Sequence, residues 1–449
     1  MDNQGSAMTA RLARFVVDSR YEDLPADAVM ASRRSLIDWL GVALGGSRSP
    51  LASPLMGLAR EMGGRRESTV LGGRSKTSAF NAALVNGALS HVLDFDDHYQ
   101  PGHLHPGATL FPSILAVAER GHLSGKALIS AFALGFEVEA RVADESGAEL
   151  LARGWHPTAC LGVLGSAAGV GKLLGLSAEQ MANCLGIAFT RASGVVAAFG
   201  TMAKSLQVGQ SVASGLLAAQ LARRGCTGPK EVLLGEKGFF RVYLGMADPE
   251  RVVDELGKGY RVVKNSFKPY PCCRATHAAV DAVLALGKKY GIRPDQVSEI
   301  VCQVWPIGIQ VASNPEPRTE LEGKFSIEYC VSVALADCHL GQEQFSDARL
   351  ADPGVRELTR NVSLSPNAAF DDRHAIVTVR TRDGRQYEER TACVRGDSGN
   401  PLSWEDLEHK FRGLADGVVA TGDVDRMVGL ITELEKLEDI SSLVGLCAT

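Results

Sequence analysis

Leu161-Gly-Val-Leu-Gly-Ser-Ala-Ala-Gly-Val-Gly-Lys172 is the stretch on which the fold turns. Its glycines invite a nucleotide-binding loop, but Gly171-Lys172 is followed by Leu173 and position 166 is Ser, so the phosphate-loop pattern fails. What remains is a helix rich in small residues, able to pack very close to its neighbours. The chain around it reads the same way. From about residue 8 to residue 245 helix follows helix. Leu36, Ile37, Leu40 and Val42 to Leu44 form an apolar stripe that ends at Gly45-Gly46, and residues 131–143 and 211–222 repeat the helical period.

The character changes after about residue 265. Residues 297–311 and 375–380 alternate as strands do. Thr381-Arg-Asp-Gly-Arg385 carries an Asp-Gly hairpin signal, and residues 386–394 read as the returning strand. A buried helix is expected over 327–340, and helices resume from Ser403. The expected fold is therefore mainly α: a large all-helical domain from 1–265 and 400–449, with a smaller α+β domain at 266–399. The final helices are expected to pack back onto the N-terminal domain.

Composition narrows the function classes. The 449 residues are 45% hydrophobic and 22% charged, ample for a large core. A net charge of −5, from 47 basic and 52 acidic residues, argues against nucleic acid as the main partner. No run of 18 apolar residues suggests a membrane span, and residues 1–14 do not resemble a secretory signal. The ten cysteines form no CxxC pair and no zinc-ribbon spacing, so a reduced, cytoplasmic protein without a disulfide framework is expected.

The densest run of ionisable groups is His91-Val-Leu-Asp94-Phe-Asp96-Asp97-His98-Tyr99, followed by Gln-Pro-Gly-His103-Leu-His105-Pro106. If the apolar helix before it continues, His91, Asp94 and His98 fall on one face at i, i+3 and i+7. Three readings compete. Asp96 and Asp97 could be solvated groups at a helix end. His91, Asp94, His98 and His105 could ligate zinc or iron, as in a metal-dependent hydrolase, although no HExxH motif is present. Or the run is a proton-transfer site, with Asp94 orienting an imidazole. His105-Pro106 and His156-Pro157 favour the third, because proline at the first helical position puts each histidine at a helix N-terminus. The positive end of the helix dipole keeps such a ring neutral, as a general base requires. Lys204, Lys268 and Arg274 are candidate anion-binding groups, with an ordinary surface charge as the alternative for each. Tyr329, at the start of the buried helix, could donate a proton to a leaving hydroxyl.

At these residues the chain resembles the MmgE/PrpD family. The match runs through residues 38–46, 91–106, 154–158, the segment around Lys204, 268–282 and 324–351, in the right order. The resemblance implies a cofactor-independent lyase of the 2-methylcitrate dehydratase type, with no metal, acting on a di- or tricarboxylate. Related members decarboxylate or epimerise such substrates, so those reactions stand as alternatives. It also implies a homodimer and an active site in the cleft between the two domains. The family's site groups fall on Asp94, His105, His156, Lys204, Lys268 and Tyr329. His98 stands where the family often has Thr, and Gln207 where it often has His. A non-catalytic binding protein on the same fold is the remaining alternative, disfavoured because all six groups are present together.

Overall fold

The computed structural model describes residues 8–73, 75–246, 249 and 251–448; residues 1–7 of the 1–14 stretch lie outside them. Among the described residues the chain is mainly α, with a four-stranded mixed sheet and a two-stranded antiparallel pair at Ser68–Thr69 and Lys76–Thr77, and it divides into two compact units. The first comprises Met1–Ala197, Lys204–Asn265 and Ser403–Thr449; the second comprises Ala198–Ala203 and Ser266–Leu402.

The first unit is built of helices. Those needed below are α1 (Ala26–Gly46), α2 (Ala79–Leu89), α3 (Pro106–Gly121), α4 (Gly125–Asp144), α5 (Pro157–Leu173) and α6 (Met202–Arg223). The stretch 161–172 lies within α5, which packs against both α3 and α4. Its small residues permit that approach: a Cβ added at Gly165 would stand 2.2 Å from the Glu139 Oε2 of α4. The helix Trp404–Ala415 starts at a Ser403 capping box and lies along α1, so the C-terminal segment does return to the helical unit. No helix among the described residues is long and apolar enough to cross a membrane. All ten cysteines are free thiols.

In the second unit a four-stranded sheet has the spatial order β2–β1–β3–β4, with β1 Val297–Val304, β2 Val362–Pro366, β3 Ala375–Thr381 and β4 Gln386–Thr391. β1 pairs parallel with β2 and antiparallel with β3, and β3 and β4 form a hairpin through Asp383-Gly384, where Gly384 takes the left-handed φ of +87° that the turn demands. α7 (Arg274–Tyr290) covers β3 and β4 and packs on α8 (Ile327–Asp337). Two expectations need correction. The strand expected over 297–311 stops at Val304, because Pro306 sits at the first position of a short helix, Pro306–Ala312. β2 was not expected at all: its five residues, Val-Ser-Leu-Ser-Pro, carry too little apolar material to stand out.

Candidate functional site

The helix leading into the histidine-rich run does not continue through it. α2 ends at Leu89, and Asp94 takes a left-handed φ of +53°, a conformation that Asp tolerates better than most residues. His91, Asp94 and His98 therefore do not share a helical face. The turn folds the run back on itself, and a bridge between Tyr99 and Leu104 brings His105 round to the start of α3. The solvated reading of Asp96 and Asp97 is overturned, since both carboxylates are fully buried.

Each aspartate has a separate job. Asp96 Oδ2 accepts from His91 Nδ1 at 2.6 Å and lies 3.3 Å from His105 Nδ1. Asp97 accepts from the Gly107 backbone N–H at 2.9 Å and from the Asn265 side chain at 2.6 Å. It thus caps α3 from ten residues upstream and fixes the helix end that carries His105. Asp94 Oδ1 accepts from Lys204 Nζ, near the start of α6, at 2.6 Å, both side chains being buried. The carboxylate beside the imidazoles is thus Asp96, where the sequence pointed to Asp94, and Asp94 sits against the ammonium instead.

The two His-Pro steps do place both histidines as N-caps, of α3 and α5. His156 is held by backbone pairing of residues 154–156 with 194–196, its N–H donating to the Gly194 carbonyl at 3.1 Å. Its ring stacks on His91 with centroids 5.6 Å apart; His91 meets His105 at 4.9 Å, and His105 meets His98 at 5.4 Å. Four imidazoles form a continuous row.

Hydrogen-bond logic fixes the tautomers. The Gln207 amide N–H donates to the Val195 carbonyl at 3.3 Å, so its oxygen faces His156 Nδ1, 3.0 Å away. His156 therefore carries its proton on Nδ1 and a lone pair on Nε2. His91 is fixed in the same way by Asp96, and its buried Nε2 has no hydrogen-bond partner among the described residues. Burial, reinforced by Lys204 and the neighbouring rings, holds His91 down at about 4 and His156 well below the usual imidazole value. Burial alone would raise Asp96, but His91 and His105 beside it keep it well below the ordinary carboxylate range. Asp97 goes the other way, pushed well above it by burial and by Asp38. At neutral pH His91 and His156 are thus neutral rings beside an ionised Asp96, chemistry suited to accepting a proton.

His91, Asp96 and His105 also form a set of possible metal ligands, with donor atoms within 4.8 Å of one another. Tetrahedral ligands at roughly 2.0–2.1 Å from zinc stand about 3.3 Å apart. The 2.6 Å between His91 and Asp96 is a hydrogen bond, and that pair would have to open to admit an ion.

Lys268, Arg274 and Tyr329 belong to the second unit. Lys268 is buried. Arg274, 4% exposed, pairs with Asp397 at 3.0 Å while its Nε and Nη1 are buried without a hydrogen-bond partner among the described residues. Such orphan donors are costly unless something fills them. Tyr329 donates its hydroxyl to the Gln344 backbone carbonyl, and burial raises its pKa.

Profiles of the MmgE/PrpD N-terminal and C-terminal domains match residues 10–252 and 270–436. The chain belongs to the MmgE/PrpD family. Among curated relatives it is similar to the cis-aconitate decarboxylase of Homo sapiens, 30% identical over 98% of this chain and 94% of the relative. It is also similar to those of Mus musculus, at 29% over 98% and 93%, and Aspergillus terreus (strain NIH 2624 / FGSC A1156), at 30% over 99% and 96%. Of the residues singled out in the sequence of this MmgE/PrpD protein, Asp94 lies against Lys204, and His105 and His156 flank His91; the contacts of Asp96 and Gln207 were not among the expectations. No periodicity marks Asp96, and Gln207 registered only as a departure from the family pattern.

Proposed function

We propose that this protein is a lyase acting on a tricarboxylate, which takes a proton from a carbon beside a carboxylate and then eliminates water. The observation that carries the reading is the row of buried imidazoles, with His91 ordered by Asp96 and His156 by Gln207 and both of these rings held neutral. His105 or His156 receives the α-proton. The electron pair left on carbon is delocalised into the adjacent carboxylate, whose growing charge is offset by fixed cations. Lys204 is the nearby cation in the first unit, and Arg274, with its unfilled donors, is a carboxylate-binding candidate in the second. His98 borders the row and shapes its far end. Lys268 is assigned to carboxylate binding. Tyr329 is assigned to protonating the departing hydroxyl, which requires its present bond to Gln344 to be exchanged.

Decarboxylation is the second reading, favoured by end-to-end similarity to relatives named cis-aconitate decarboxylase. There the C–C bond to a carboxylate breaks, CO2 leaves with the electron pair remaining on carbon, and an imidazole N–H delivers a proton to that carbon and is reprotonated from water. Proton NMR in D2O with cis-aconitate, 2-methylcitrate and citrate separates the two. Loss of the α-proton signal together with the hydroxyl, giving an alkene, supports dehydration, whereas release of CO2 with deuterium delivered to the carbanion carbon supports decarboxylation. Exchange with neither product would instead point to epimerisation. His105→Ala and His156→Ala should each lower turnover by about 10²–10⁴-fold, the usual contribution of a placed acid or base. Near-wild-type turnover in both variants would end the proposal.

A further inference from the structure

The second unit contains a cavity of about 150 Å³ whose lining includes Arg318, Arg356, Arg360, Thr359 and Tyr329, with Glu316 as the single carboxylate. By the same measure one water needs roughly 10–15 Å³, so the space suits a compact molecule and not a chain segment. Arg356 and Arg360 lie one turn apart on α9 (Pro353–Arg360), so both guanidiniums project from one face, where like charges repel. Arg318 reaches the same cavity from the loop before the short helix Glu320–Gly323. Three cations against Glu316 leave a net excess of two positive charges.

Several arginines elsewhere in this unit are neutralised: Arg274 by Asp397, Arg349 by Asp337 and Asp352, Arg373 by Asp371 and Arg385 by Asp383. Among the described residues, none of the three around the cavity has a carboxylate at ion-pair distance. Arg356 donates Nε to the Leu350 carbonyl at 2.9 Å, which orients its fork while leaving the terminal nitrogens for another acceptor. Concentrating unpaired guanidiniums around one concavity is unfavourable until an anion arrives, and their fork geometry matches carboxylate and phosphate oxygens.

We infer that this cavity binds a compact polyanion, carrying carboxylate or phosphate groups, gripped by Arg318, Arg356 and Arg360. The grip on the anion comes from the three arginines, while Tyr329, assigned above to the reaction, borders the same cavity. Because Tyr329 forms part of the lining while its hydroxyl is tied to Gln344, an anion here touches the helix that carries Tyr329.

The test is isothermal titration of the full chain with two probes, inorganic phosphate and tricarballylate. Three proteins are compared: wild type, the double variant Arg356→Gln/Arg360→Gln, and His105→Ala in the other unit. Both arginines are exposed, so their loss leaves the core intact. Wild type is expected to bind at least one probe, and the double variant to weaken that binding at least about tenfold, each lost charge-assisted contact being worth that much or more. His105→Ala should bind as wild type does. Binding of phosphate alone or tricarballylate alone identifies the ligand chemistry. The inference is overturned if wild type binds neither probe up to about 10 mM, if the double variant binds like wild type, or if only His105→Ala loses binding.

Discussion

Replacing Asp96 by Asn tests whether the imidazole row works because a buried carboxylate orders it. Asn has the same shape but one acceptor and one donor. With its oxygen at the Oδ2 position, it can still accept from His91, 2.6 Å away, but the amide NH2 then occupies the Oδ1 position, which is buried without a partner among the described residues. An orphaned buried donor costs about 1–3 kcal/mol. Turned the other way, the NH2 meets the Nδ1–H of His91 and forces that ring into the opposite tautomer. Either way the negative charge that supports the imidazoles is gone. Asp96 is fully buried, so it acts by positioning the rings. The expected result is a fall in kcat of about 10²–10⁴-fold, or roughly 2.7–5.5 kcal/mol in the barrier, with KM changed less than about threefold. Steady-state kinetics on the tricarboxylate that wild type turns over gives the split, and far-UV circular dichroism with urea unfolding checks the fold. A natively folded Asp96→Asn enzyme with kcat within about threefold of wild type would refute the reasoning.

Other perturbations have equally definite outcomes. His91 has an ordinary value of 6.5 and is held at about 4, so between those pH values the folded protein binds fewer protons than the unfolded chain. Its contribution is present above about pH 6.5 and is lost as pH falls towards 4; at about 1.4 kcal/mol per pH unit the loss is roughly 3 kcal/mol. Urea unfolding of wild type and His91→Asn should show the wild-type advantage shrinking by that order between pH 7 and 4, and parallel curves would contradict it. Glu139 has the opposite sign: burial raises its carboxyl well above 4.5, so its contribution is complete below that pH and declines as pH rises. Glu139→Gln should therefore gain stability relative to wild type from pH 5 to pH 8, read from the same unfolding curves. Gly165→Ala places a methyl 2.2 Å from the Glu139 carboxyl and should destabilise by about 1–3 kcal/mol, seen as a lower urea midpoint. An unchanged midpoint would mean that α4 and α5 have slack that the close packing denies.

Local chemistry made much of this legible in the sequence. The small-residue run 161–172 could only be a closely packed helix once the phosphate-loop pattern failed, and the Asp-Gly signal set the β3–β4 hairpin. The two His-Pro steps placed His105 and His156 at helix N-termini, because proline lacks the N–H that the first turn does not use. Each of those inferences depends on neighbours along the chain. Where α2 stops was not legible: that the run 91–98 leaves the helix, with Asp94 left-handed, follows from what surrounds it. Only the tertiary structure decided that Asp96 orders the imidazoles while Asp94 pairs with Lys204, 110 positions away. The same holds for Gln207, which sets the tautomer of His156 from 51 positions away. Periodicity records which face of an element is buried, and carries no information about which of several buried polar groups will meet across elements.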